Sequence, residues 1–542
     1  MSALNVAAPP RGTGQWMRSE TARTVLAFAV LLILWEVVGR LHLIGHGALP
    51  APTAIVASFI ANAGLYPQHI LATLSAAGAG FVIGNAVAVV LAAAFVLVPW
   101  LEKLASLVLV ALFCLPIVVV APILGLALPG DGPKIALAAL SVFFPTMIAV
   151  LVGFRQAPTD AIRVVTASGG GPLRVFRLVR LPSALPDLLM GLQVAAPAAI
   201  LGAILGEFLG GTRGLGVYLL GSMGRADPAT LWAIGLTAAA LAALAYAVFG
   251  VIHRLIAPSH TQTITDMAAG LAIPTSDPRT RWGRLLRRHP ALPAVAWTLA
   301  SLAFAYVCWH VFVLLTGLPE MVMNTPERVF ASLFTGPTSA EVRAEVARAL
   351  GESLPPTAIG ALAGIAFAFA LAVGVSLFSA ASRTLMPIAF LSQTLPIVAL
   401  APLIALVFGR GPLTIVVVTI SVTFFPSFVA ILQGIRQSPL GPVMVLRSVA
   451  ASRSRILFTA LLPAALPYLF AAVRLAVPRA LTGVVLAEQF VTGTGLGGLL
   501  GISRGHLDYR MIWVVAVVVA VISVVLYIAA ERAEHAVRRL YA

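Results

Sequence analysis

Long apolar runs separated by short polar stretches dominate the chain. Runs of about 20 mostly apolar residues, enough to cross a bilayer as a helix, centre on 24–42, 70–98, 104–128, 134–154, 186–207 and 229–253. A polar stretch follows, and six more runs centre on 294–316, 355–378, 387–408, 412–435, 467–488 and 511–530. The pattern predicts an all-α polytopic membrane protein with about twelve transmembrane helices. Composition agrees, with 60% hydrophobic and 10% charged residues and a mean hydropathy of +1.01, which excludes the soluble classes. The first run follows several arginines, as a signal peptide would. Its length and the runs after it predict an uncleaved first helix.

Charge sets the expected orientation. The net charge of +16 could suggest nucleic acid in a soluble protein, but no nucleic-acid partner is expected here. With the N-terminus in the cytoplasm, 23 of the 35 Lys and Arg residues fall in cytoplasmic loops and ten outside, while Arg474 and Arg479 sit within a span. That bias predicts cytoplasmic N- and C-termini. Cys114 and Cys308 lie in apolar runs and offer neither a disulfide framework nor a metal site.

The chain repeats itself. Residues 143–158 (FFPTMIAVLVGFRQAP) and 424–439 (FFPSFVAILQGIRQSP) are identical at nine of sixteen positions, at an offset of 281. The same offset carries Leu181-Pro182 to Leu462-Pro463, Glu207 to Glu488, and Gly214-Leu215-Gly216 to Gly495-Leu496-Gly497. Earlier the offset is 280, pairing Gly80 and Gly84 with Gly360 and Gly364; Trp35 pairs with Trp309 at 274. An even number of spans per copy makes the repeats parallel, related by an axis along the membrane normal. The expected division is a first repeat over 1–254, a polar, arginine-rich cytoplasmic linker over 255–292 and a second repeat over 293–542. The solute path is expected between the halves.

In each half the loop between spans four and five is the largest cytoplasmic feature. In the first, Pro158-Thr159-Asp160 supplies a helix start, Gly169-Gly170-Gly171 a turn and Pro182 a stop, predicting two short surface helices around a glycine turn. Gly169 stands twelve residues before Leu181, and Ala450 twelve before Leu462. This pattern resembles the "EAA" loop of ABC importer permeases, in two copies covering nearly the whole chain. Both copies depart at the motif's leading acid, where Arg163 and Met444 stand, and the second also at the glycine, where Ala450 stands. Trp35-Glu36, Leu49-Pro50-Ala51-Pro52, Leu115-Pro116, Ala121-Pro122 and Glu207 with its Gly-Leu-Gly resemble the nitrate, sulfonate and taurine branch.

The resemblance implies a type I importer permease of the bacterial inner membrane, in contact with lipid and fused from the usual two subunits. It implies two copies of a separate ATPase subunit on the cytoplasmic loops and an extracytoplasmic solute-binding protein. The solute would be a small anion such as sulfonate, taurine or nitrate, with a vitamin-precursor pyrimidine as the alternative. Lys103 and Lys134, the chain's two lysines, follow Glu102 and Pro133, so neither belongs to a Walker A phosphate loop. The chain is therefore read as a transport subunit and not an enzyme, with no cofactor of its own and ATP and Mg on the partners. A proton-coupled carrier competes, but Glu36, Asp187, Glu207, Glu488 and His310 sit near span ends, whereas such carriers need ionisable groups deep in the membrane. Arg474 is open to two readings, an anion site or a structural pair.

Three sets of residues carry the functional expectations. Phe113 and Cys114 of span three, with the matching Gln393 and Thr394, are expected to line the path, apolar on one side and polar on the other. Glu207 with Gly214 and Gly216, and Glu488 with Gly495 and Gly497, are expected to shape an outer gate, each Glu tying loop amides. The loops 158–182 and 439–463 are expected to couple to the ATPase through Val165, Ala167, Ser168, Gly169, Gly170, Phe176 and Pro182, and through Leu446, Ala450, Ala451, Ser452, Phe458 and Pro463.

Overall fold

The computed structural model describes residues 20–225, 227–257, 291–319, 321–377, 397–438 and 440–541. In lipid each backbone N–H and C=O must be satisfied internally, and the apolar runs meet this demand as helices. The first half contains α1 (Glu20–Arg40), α2 (Pro52–Ala61), α3 (Tyr66–Leu97), α4 (Pro99–Cys114), α5 (Ile117–Ala127) and α6 (Gly132–Arg155). It continues with α7 (Thr159–Ala167), α8 (Leu185–Gly210), α9 (Leu215–Gly224) and α10 (Pro228–Ile256). The second half contains α11 (Ala291–Thr316), α12 (Pro326–Phe330), α13 (Ser339–Leu377), α14 (Ile397–Phe408) and α15 (Pro412–Arg436). It ends with α16 (Leu440–Ser448), α17 (Leu462–Ala487), α18 (Gly495–Gly505) and α19 (Tyr509–Tyr541).

Nine helices among the described residues are long and apolar enough to cross a membrane, and ten when α4 and α5 count as one bent span. Helix α1 occupies the first expected span. The ninth, 387–408, begins outside the described residues and continues as α14. The third expected span is not straight: α4 and α5 meet at 101°. Leu115 takes extended backbone (φ −73°, ψ 121°), because the ring of Pro116 disfavours a helical residue before it. Phe113 and Cys114 thus end α4 at a corner, midway along the bent span. Pro182 and Pro463 do not stop their helices either. Each follows a π-turn, Phe176–Arg180 or Leu457–Leu461, that runs straight into it, so the helical backbone continues across the proline.

The repeat is visible in packing detail. The Trp35 indole donates to the Pro50 carbonyl and the Trp309 indole to the Asn324 carbonyl, both at 3.1 Å. Trp232 donates to Ala48 at 3.0 Å and Trp513 to Val322 at 3.1 Å. These bonds match at the offsets of 274 and 281. A Cβ on Gly80 would fall 2.4 Å from that of Ala138, and one on Gly360 2.5 Å from that of Thr419, so α3 on α6 and α13 on α15 pack backbone to backbone. The halves differ before that contact. The offset rises from 274 to 280, so the second half carries six more residues there, and α13 begins at Ser339, well ahead of the expected 355.

The core has an uneven plan. One buried cluster joins both halves at the end holding the Gly-Leu-Gly segments, running from Val118, Leu137 and Ile204 to Leu481, Leu496 and Val515. At the end holding the basic loops, the described residues form two clusters. Phe95, Met147 and Phe154 belong to the first half, and Ala372, Phe428 and Leu457 to the second. There the halves touch through α4, where the Ser301 hydroxyl of α11 donates to the Lys103 carbonyl at 3.1 Å.

Candidate functional site

At the Gly-Leu-Gly end, α9 and α18 are short helices whose first N–H groups have no partner within the helix. A buried carboxylate from the preceding long helix supplies one. Glu207, 1% exposed, accepts from the Gly216 amide and the Thr73 hydroxyl at 2.9 Å each, and Thr73 in turn accepts from the Leu215 amide at 2.9 Å. Glu488, fully buried, accepts from the Gly497 amide at 3.0 Å, and the Ser353 hydroxyl lies 2.8 Å from both its oxygens. Ser353 accepts from the Leu496 amide at 2.9 Å. The next amide differs: Gly214 donates to His69 Nδ1 at 3.2 Å, whereas Gly495 donates to Glu352 Oε2 at 2.7 Å. Glycine is required at both places. Gly214 (φ +129°) and Gly495 (φ +62°) have positive φ, and a Cβ would lie 2.0 Å from the Glu207 carboxyl carbon and 2.2 Å from Glu488 Oε1. Between the networks the Phe208 and Phe490 rings meet edge to face at 4.6 Å, bringing the two halves together.

Sequence reasoning missed His69, Thr73, Glu352 and Ser353. The offset of 280 that pairs Gly80 with Gly360 also pairs Thr73 with Ser353, so a signal for the two hydroxyls was present.

Cys114 is buried at the α4–α5 corner, and the Phe113 ring lies 4.4 Å from Phe144 and 5.8 Å from Tyr527 of the other half. Gln393 and Thr394 lie outside the described residues. Arg474 is a structural pair. It is 3% exposed, with Nε 3.1 Å from Glu534 Oε2, NH1 3.6 Å from Glu531 Oε1, and its guanidinium 5.7 Å from the Tyr527 ring centre. The first half has Gln193, Gly250 and His253 at the matching positions.

The basic loops each form two short helical pieces around a turn. Gly169 (φ +76°) and Ala450 (φ +53°) occupy the same left-handed position, the second without glycine's freedom. Ser452 caps the following helix, accepting from the Arg455 amide at 3.3 Å. Val165, Gly170, Leu446, Ala451 and Pro463 are half-buried, while Ala167, Ser168, Gly169, Pro182 and Ala450 are exposed. The aromatic residues are not counterparts. Phe176 turns inward, 5.0 Å from Phe154, and its match at 281 is the buried Leu457, whereas Phe458 is 58% exposed. Exposed apolar side chains that sequence reasoning passed over include Val164, Leu173 and Leu178, and Met444, Val445 and Val449. Among the described residues no group of three His, Cys, Asp or Glu side chains could hold a metal ion.

A membrane bundle built twice, with matched basic loops at one end and matched glutamate-tied helices at the other, defines a duplicated transport permease. Residues 84–262 and again 360–539 match the binding-protein-dependent transport system inner membrane component family, and the chain belongs to it. It is 33% identical over 232 residues to the riboflavin transport system permease protein RibX of Chloroflexus aurantiacus, covering 42% of this chain and 86% of that protein. It is 28% identical over 219 residues to a probable ABC transporter permease protein of Haemophilus influenzae, covering 40% of this chain and 87% of that one. The taurine transport system permease protein TauC of Escherichia coli is 24% identical over 245 residues, covering 45% and 89%. Each of these relatives spans about one repeat. No solved structure matches the chain. The protein is thus a multi-pass permease component of an ABC importer, a non-enzymatic part of a machine that works with an ATPase and a solute-binding protein.

Proposed function

We propose that this chain forms the complete translocation path of an importer for a small anion such as sulfonate, taurine or nitrate. Its repeats, 1–254 and 293–542, replace two permease subunits; the linker 255–292 lies almost wholly outside the described residues. Two copies of a separate ATPase subunit, which carries ATP and Mg, dock on loops 158–182 and 439–463. The solute-binding protein docks at the Gly-Leu-Gly end, and both chain termini are cytoplasmic. The observation that carries this reading is the presence in one chain of two matched loops at one end and two matched glutamate networks at the other. The anion reading is supported by the taurine, aliphatic sulfonate and nitrate permeases among the relatives. The riboflavin and formylaminopyrimidine permeases favour a vitamin or its pyrimidine precursor as a second reading. Phe113 and Cys114 contribute the apolar wall of the path, and Gln393 and Thr394 the polar one. Purifying the solute-binding protein that works with this chain and identifying its ligand by mass spectrometry tests the assignment. A sulfonate or nitrate supports it; a flavin or pyrimidine replaces it.

A further inference from the structure

A cavity of about 740 Å³ opens between the two halves at the Gly-Leu-Gly end. Helices α5, α6 and the last turn of α8 line it from one side, and the end of α11, α18 and the start of α19 from the other. The lining is mainly apolar, with two cations in it, Lys134 from the first half and Arg504 from the second. Lys134, its side chain 5% exposed, has Nζ 2.5 Å from Asp131 Oδ1, while Asp131 is 66% exposed, so an anion in the cavity competes with a solvated carboxylate for the buried ammonium. Arg504 donates to the Leu209 carbonyl, and among the described residues no carboxylate lies within ion-pair distance of it. The repeat does not duplicate this charge. An offset of 281 carries Lys134 to Ile415, and carries Arg504 back to Met223.

We propose, resting on the importer reading above, that this cavity is a single site for the anionic group of the solute, held between Lys134 and Arg504. A guanidinium presents a planar fork of donors to an oxyanion, an ammonium adds a compact positive charge, and the apolar walls take an organic remainder. One cation comes from each half. An anion between them therefore binds one arrangement of the halves better than another, and that difference lets it bias their movement. Leu209 and Gly210 of the lining flank the Phe208–Phe490 contact, so the site adjoins the place where the halves close.

Calorimetric titration of the full chain in lipid nanodiscs with methanesulfonate, and separately with nitrate, tests the proposal. Wild type should bind one equivalent of at least one of these anions. Arg504→Gln should weaken binding about tenfold, Lys134→Gln severalfold, and Arg504→Lys less than Arg504→Gln. Asp131→Asn should tighten it, because Asp131 competes for Lys134. Arg410→Gln, a basic residue at the same end but outside the cavity, should change nothing. Co-purification of each variant with the ATPase shows that its fold is intact. Failure of wild type to bind either anion, two equivalents, or unchanged affinity in both glutamine variants overturns the site. Those outcomes leave the importer reading standing if wild type still couples ATP hydrolysis to its binding protein. Loss of that coupling in wild type would instead overturn the importer reading.

Discussion

The two halves solve the same local problem with different partners. In each, a buried glutamate and a hydroxyl from the second span hold the first amides of a short helix. The next amide meets an imidazole in the first half and a carboxylate in the second. A second contrast lies toward the other end of the molecule, where Gln193, Gly250 and His253 stand at the positions matching the buried Arg474, the half-buried Glu531 and the buried Glu534. A third is the left-handed turn, glycine in one loop and alanine in the other. The duplicated chain has kept the contacts that hold the first amides of the short helices, and where a buried ion pair diverged the whole set of partners changed together.

The largest expected effect comes from forcing the second half to copy the first. Arg474→Gln leaves Glu534 buried without its cation and should cost about 3–5 kcal/mol. Adding Glu531→Gly and Glu534→His, which completes the first-half set, should recover most of that. Thermal unfolding of the purified protein checks both variants; a triple variant no more stable than the single one would break the comparison. Next comes the shared element. Glu207→Gln and Glu488→Gln each weaken charge-assisted bonds to a buried amide and hydroxyl, at about 1–3 kcal/mol. Equal losses in the two halves would show that the networks are equivalent. Normal binding-protein docking and normal transport in the double variant would remove their gating role.

The third prediction separates the partners that differ. Glu352 is a charged acceptor at the N-terminal end of α18, so its hold on the Gly495 amide should weaken with salt, whereas that of His69 on Gly214 should respond less. Hydrogen exchange of the two amides at low and high ionic strength reads this directly. The smallest effect belongs to the turns. Ala450→Gly should stabilise the second loop by about 1 kcal/mol, and Gly169→Ala should destabilise the first by a similar amount. Unfolding midpoints of the two variants should move in opposite directions.

The spans, the repeat and the paired loops were legible because lipid demands long unbroken apolar runs and because duplication leaves matching residues at fixed offsets. The corner between α4 and α5 was less so. Leu115-Pro116 signals a break, but the 101° turn depends on how α5 packs against α6 and α19. The pairing of Glu207 with its glycine segment is local in sequence. Thr73, by contrast, lies 134 residues away and meets Glu207 only in the packed bundle. Arg474 likewise finds its carboxylates on another helix, so the sequence left its two readings open. Phe176 and Phe458 stand one residue out of register in the repeat, and one residue is enough to turn a helical side chain from the core to the surface.

The central claim is that one chain presents two docking loops to two ATPase subunits, and native mass spectrometry of the importer purified from its own membrane tests it most directly. The account predicts one copy of this chain with two ATPase subunits. Bulky residues at Gly169 and Gly170 should lower that to one, with the second loop still occupied. A single ATPase per wild-type chain, or two retained after Gly169 and Gly170 are replaced, would contradict it.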